Sequence, residues 1–165
     1  MNVVGYKDPD QMEEYYCAQA RRISPDRNDE LNSLKNIYIE TGGEHWTNNT
    51  GWMKNSSHCD WYGILCDEED TYVIEIKLRS NNVTGEYPAK FLSTLHKLKT
   101  LDLANNSIWG NMGFTGFSDQ DFFNLRDLTH VDLSQNQLTG EADVLFAPAL
   151  QEVNFSHNNF TSLDS

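Results

Sequence analysis

Apolar and polar positions in the C-terminal part of the chain follow one pattern that occurs four times. Val73, Ile76, Leu78, Asn81 and Val83 define it as V-x-x-I-x-L-x-x-N-x-V. Leu98, Leu101, Leu103, Asn106 and Ile108 repeat the spacing, as do Leu128, Val131, Leu133, Asn136 and Leu138, and then Leu150, Val153, Phe155, Asn158 and Phe160. Successive asparagines are 25, 30 and 22 residues apart, and the long interval holds an insertion at Asn111–Gln120. Recurrence at such a period predicts stacked coils, not independently placed strands. The L-x-L alternation predicts a short strand in each coil. Alternate side chains point inward, and strands of successive coils pair into one parallel sheet. The chain then turns sharply and leaves buried backbone groups unpaired. An inward asparagine satisfies such groups with its amide and carbonyl together, so Asn81, Asn106, Asn136 and Asn158 are expected to form a ladder.

The first return limb runs Asn82-Val-Thr-Gly85-Glu-Tyr-Pro88-Ala-Lys-Phe91-Leu92-Ser-Thr-Leu95, with Gly and Pro as turn and helix punctuation. Residues 24–72 are suited to cover the open N-terminal end of the stack. Ser24-Pro25 predicts a helix start, Leu31, Leu34, Ile37 and Tyr38 share one helical face, and Gly42-Gly43 predicts its end. Asp10–Arg22 is a second short helix candidate, with Met12, Tyr15, Tyr16 and Ile23 roughly on one side; residues 1–23 read best as a linker from a wrongly placed start. Of three cysteines, Cys59 and Cys66 lie close together and Cys17 is distant. Spacing alone admits either one local disulfide with a free Cys17 or three free buried thiols.

The run Thr41-Gly-Gly-Glu-His-Trp46 to Trp52, then His58-Cys59-Asp-Trp61-Tyr-Gly63-Ile-Leu-Cys66, resembles the N-terminal cap of plant-type leucine-rich-repeat proteins, W…C-x-W-x-G-[IV]-x-C. The repeats resemble the same family, whose coil continues N-x-L-T-G-x-I-P-x-x-L-x-x-L. Tyr87 stands where the family prefers Ile, the third coil keeps Leu138-Thr-Gly140 without the Pro, and the second is interrupted by the insertion. The resemblance implies an α/β solenoid: a right-handed superhelix with a parallel concave sheet and a helical N-terminal cap. Its layout is an extension (1–28), a cap (29–72) and four coils (73–165), the last incomplete, so the chain is expected to be a fragment or to lack a usual C-terminal cap. It also implies a Cys59–Cys66 disulfide and structural roles for Trp46, Trp52 and Trp61. Trp109 is the one tryptophan left as a ligand contact.

The net charge is −13, which makes nucleic acid and anionic membrane poor partners. The N-terminus has no apolar signal core, so the protein either stays inside the cell or is missing its true start. Sequons at Asn48, Asn55, Asn82, Asn105, Asn154 and Asn159 fit a glycosylated, secreted chain. With the implied disulfide they point to the extracellular space or cell surface.

Three chemistries are set aside. His45, His58, Cys59 and Cys66 lack zinc-ligand spacing. Asp67-Glu-Glu-Asp70 lacks the alternating ligands of a calcium loop. His130, Asp132 and Ser134 have no nucleophile elbow or oxyanion hole. No enzyme activity, cofactor or metal is therefore expected. The expected function is recognition of a protein, peptide or glycan on the concave face, as part of a receptor-like or secreted protein; the alternative is a structural spacer or matrix module. The projecting residues are Glu75, Lys77, Arg79 and Ser80; Lys99, Thr100, Asp102 and Asn105; Thr129, His130, Asp132 and Gln135; and Gln151, Glu152, Asn154 and His157. Basic residues in the first two coils, and acidic residues without basic neighbours in the last two, predict an oriented partner.

Overall fold

The computed structural model describes residues 27–54, 57–112, 125–141 and 147–162. Cys17, the 10–22 helix, the Ser24-Pro25 helix start, Asn55 and most of the insertion lie outside the described residues.

Helix α1 (Arg27–Glu40) opens the described chain. Leu34 and Ile37 are buried, with Leu31 and Tyr38 packed against the same core. The helix ends where Gly42 turns into the left-handed region at φ 69°. Beyond it, aromatic rings fill the cap. Trp46 meets Trp52 edge-on at 4.9 Å, and Trp52 lies 4.8 Å from Trp61, with Tyr38 stacked on Trp52 at 5.8 Å. The buried indole N–H groups of Trp46 and Trp52 donate to the carbonyls of Thr41 and Tyr62, each at 2.9 Å, so the polar edge of each ring is satisfied.

Among the described residues nine strands follow: β1 (Ile64–Cys66), β2 (Val73–Lys77), β3 (Thr84–Glu86), β4 (Thr100–Asp102), β5 (Ser107–Asn111), β6 (His130–Asp132), β7 (Gln137–Glu141), β8 (Glu152–Asn154) and β9 (Asn159–Ser162), with a short helix α2 (Ala89–Leu92) in the first return limb. They form two sheets. One has the order β1-β2-β4-β6-β8, and the other β3-β5-β7-β9. The first is parallel from β2 onward. Its inward column is Ile76, Leu101, Val131 and Val153 in direct register. The repeat pattern accounts for this sheet.

Two features lie beyond what the pattern predicts. The cap itself contributes β1, antiparallel to β2, with Ile64 opposite Ile76 and Leu65 opposite Glu75. The return limbs, read from sequence as turn and helix, also pair as a second parallel sheet.

Each ladder asparagine after the first bridges two coils. Asn106 donates to the carbonyls of Leu78 (2.9 Å) and Leu103 (2.8 Å), and its Oδ1 accepts from the amides of Asn81 (3.0 Å) and Val83 (2.9 Å). Asn136 and Asn158 take the corresponding places one and two coils on. Asn81 has no coil before it. It pairs instead with the backbone of Asn48, amide to carbonyl and carbonyl to amide, at 3.0 and 2.8 Å. The cap thus ends the ladder as another coil would.

Candidate ligand-binding face

Two columns of side chains face solvent from the concave sheet. Register places Glu75, Thr100, His130 and Glu152 in one, and Lys77, Asp102, Asp132 and Asn154 in the other. Sequence reasoning missed one member of the first column. Leu65 on β1 lies opposite Glu75, and it is 49% exposed while its neighbours Ile64 and Cys66 are buried. The alternation in Gly63-Ile-Leu-Cys66 carried that signal.

Several of the charges on this face are engaged with one another. Lys77 pairs with Glu75. Arg79 reaches across two coils, with Nε 2.9 Å from Asp102 and a terminal nitrogen 2.5 Å from Asp132. These bonds raise the Arg79 pKa above its ordinary value. Burial pushes Asp132 upward, but hydrogen bonds from the Ser134 hydroxyl and amide and from Arg79 outweigh it and hold the carboxyl below its usual range. The expected charge order is therefore corrected. Asp132, in the third coil, has a basic neighbour because an arginine side chain is long enough to span the strand spacing twice. His130 Nε2 lies 3.7 Å from Glu152.

The column of Asp102, Asp132 and Asn154 also shapes the turn. Each Oδ1 accepts the amide two residues on, from Ala104, Ser134 and Ser156, at 3.0–3.1 Å. This local bond is the physical reason for a short polar side chain there. It also disposes of a hydrolytic triad. Ser134 gives its hydroxyl proton to Asp132 at 2.6 Å, while His130 Nδ1 pairs with Thr129 at 2.8 Å.

Along the rim, Ser80, Asn105, Gln135 and His157 all occupy the left-handed region, with φ 54–57°. Asn105 bridges back to Ser80 at 2.8 Å. Lys99 lies at the entry to β4, where its carbonyl accepts the amides of Thr129 and His130. Trp109 is half exposed but stands on β5, in the other sheet, away from this face.

Among the remaining sequons, Asn82 and Asn159 are exposed, and Asn82 donates to the His45 carbonyl at 2.8 Å. Cys59 and Cys66 are joined in a disulfide. His58 and the two sulfurs lie within 4.8 Å of one another, but bonded sulfurs offer no thiolate to a cation.

A cap, a ladder and a parallel sheet repeated coil by coil define a leucine-rich-repeat module. Leucine-rich-repeat family models match residues 97–125 and 124–142. The chain belongs to the leucine-rich-repeat proteins, and its relatives are of the plant receptor type. It is 31% identical to Receptor-like protein 7 of Arabidopsis thaliana over 72% of this chain and 11% of that protein. Against Receptor-like protein 9DC1 of Solanum pimpinellifolium it is 39% identical over 41% of this chain and 8% of the relative. The Arabidopsis Phytosulfokine receptor 1 is 27% identical over 76% and 12%. The matched region is thus about a tenth of each relative's length. Among solved structures, the Arabidopsis receptor kinase HAESA, in complex with the peptide hormone IDA and the co-receptor SERK1, superposes with TM-score 0.68 at 28% identity, covering 81% of this chain and 22% of that one. The BIR2 ectodomain shares the fold with TM-score 0.67 at 23% identity, over 79% and 68%. These likenesses are to leucine-rich-repeat segments of plant receptors and receptor-like proteins. No helix among the described residues is long and apolar enough to cross a membrane.

Proposed function

We propose that this chain is the recognition module of an extracellular or cell-surface protein, and that its concave face holds an extended peptide segment of a partner. The carrying observation is the pair of solvent-facing columns in register across the repeat strands, closed at the cap by exposed Leu65. Five strands at ~4.8 Å spacing span about 24 Å, which about seven extended residues cross at ~3.3 Å each. The flat area is only about 400 Å², half the roughly 800 Å² that one partner gives to a standard interface. Binding by this module alone is therefore weak. The HAESA structure, solved with a peptide hormone, supports the reading. A disulfide in the cap and exposed sequons support the extracellular setting. The mutual pairing of charges on the face favours a second reading, a structural spacer without specific ligand.

Selection of displayed random heptapeptides separates the two. Peptides that enrich on the wild-type chain, lose binding to Leu65→Asp and Thr100→Arg, and keep binding to Lys90→Glu on the return limb support recognition. No enrichment, or loss with Lys90→Glu alone, rejects the concave face. Glycans on Asn105 or Asn154 would obstruct that face, so peptide mass spectrometry of the secreted protein is expected to find those two sequons empty.

A further inference from the structure

Glu30, in the first turn of α1, carries a side chain that the concave face does not use. It is fully enclosed, at 0% exposure. Its Oε2 accepts the amide of Val73, the first residue of β2, at 2.9 Å. One carboxyl oxygen thus ties the cap helix to the first repeat strand. Its Oε1 has no hydrogen-bond partner among the described residues, and neither does Nδ1 of His96, 4.0 Å away on the return limb of the first coil. The His96 ring sits edge-on to Tyr72 at 5.1 Å, and its side chain is 22% exposed, so protons from solvent reach the pair. A second contact joins the same two elements, from the Thr94 hydroxyl to Ser33 at 2.8 Å.

We propose that Glu30 and His96 form a pH-sensitive latch between the cap and the first coil, closed at mildly acidic pH and weakened above neutrality. Between them the two groups hold one proton, as carboxylic acid beside imidazole or as carboxylate beside imidazolium. In either form a small approach lets that proton bridge Oε1 and Nδ1. Once it leaves, an enclosed negative charge remains without a neutralising partner, which is costly. The surroundings do not offset it. Asp67, in the turn before β2, repels the Glu30 carboxylate. Around His96, Lys97 on its own limb disfavours the cation and Asp127 from the second coil favours it. On α1 itself the neighbouring acid, Asp29, is exposed.

The two titrations act in opposite directions. Burial raises the Glu30 pKa to about 7 from 4.5, against the lowering effect of the Val73 amide. A raised carboxyl contributes stability that is complete below pH 4.5 and is lost as pH rises toward 7. Burial lowers the His96 pKa, so its contribution is present above the ordinary 6.5 and is lost as pH falls through the lowered value. Where both operate they partly cancel. The comparison of wild type with Glu30→Gln isolates the Glu30 part.

Gln keeps an oxygen for the Val73 amide and cannot ionise. In thermal unfolding of the whole chain, the wild type is expected to lose about 5–10 °C relative to Glu30→Gln between pH 5 and 8. Parallel curves overturn the latch. If Glu30→Gln does not fold, the wild-type carboxyl ¹³C resonance of Glu30 decides: a midpoint near 7 supports the latch, and one at the ordinary 4.5 rejects it. His96→Phe should move that midpoint downward, because the protonated carboxyl loses the acceptor that shares its proton, and an unmoved midpoint overturns the pairing.

Discussion

Asn106 makes five bonds to backbone groups of two coils, and no other side chain type of that size offers two donors and an acceptor in one plane. Asn106→Ala leaves those groups facing a dry interior. The expected cost is about 2–4 kcal/mol, read from urea unfolding. Arg79→Gln removes two ion pairs of similar apparent quality, yet its side chain is half exposed, so the expected cost is under ~1 kcal/mol and shrinks with added salt. Rung asparagines were legible because function and spacing coincide: every rung falls at the same offset from the strand. The positions just before them were not. Ser80 and Gln135 take a left-handed conformation that their residue types do not announce, whereas Asn105 and His157 are of kinds enriched there. Leu65 went unread for another reason. Its signal is a three-residue alternation inside a motif whose cysteines and tryptophans dominate.

The second sheet resisted sequence reading because three of its four strands, β3, β5 and β7, carry glycines, which locally signal turns. Gly85 shows why a glycine is needed inside a strand. Its φ is 121°, and a Cβ there would come 2.3 Å from the Glu40 carbonyl oxygen, backbone that cannot swing aside. Gly110 shares the conformation, at φ 123°, but its Cβ would meet the Glu86 side chain at 3.1 Å, which can yield. Gly85→Ala is therefore expected to destabilise by about 2 kcal/mol or more, and Gly110→Ala by clearly less, in matched thermal melts. The cap element is held differently. Its disulfide closes a short loop, with a sequence separation of 7. Replacing Cys59 and Cys66 together by Ser is expected to cost roughly 2.5 kcal/mol on the chain-entropy account, with the urea midpoint as the readout.

A solenoid is stabilised coil against coil, so the same column position is worth more where both neighbours are present. The inward column grades along the stack in that way. Ile76 and Leu101 are 1% exposed, Val131 is 9%, and Val153 is 44%. At the cap end, β1, the aromatic cluster and the Asn48 rung substitute for a preceding coil. At the other end, β8 and β9 lie at the edges of their sheets, and Asn158 is only half-buried. All four coils match one pattern, so this gradient cannot be read from a coil's own residues, because burial depends on what lies on either side of it. Leu101→Ala is accordingly expected to cost about 3 kcal/mol or more, and Val153→Ala under ~1 kcal/mol. Amide exchange in native conditions supplies the independent check. Local opening near an end disrupts one interface and opening in the middle disrupts two, so exchange should be fastest in β8 and β9 and slowest in β2 and β4. Uniform protection along all coils would mean that the stack opens only as a unit, and the graded costs expected for the inward column would then disappear as well.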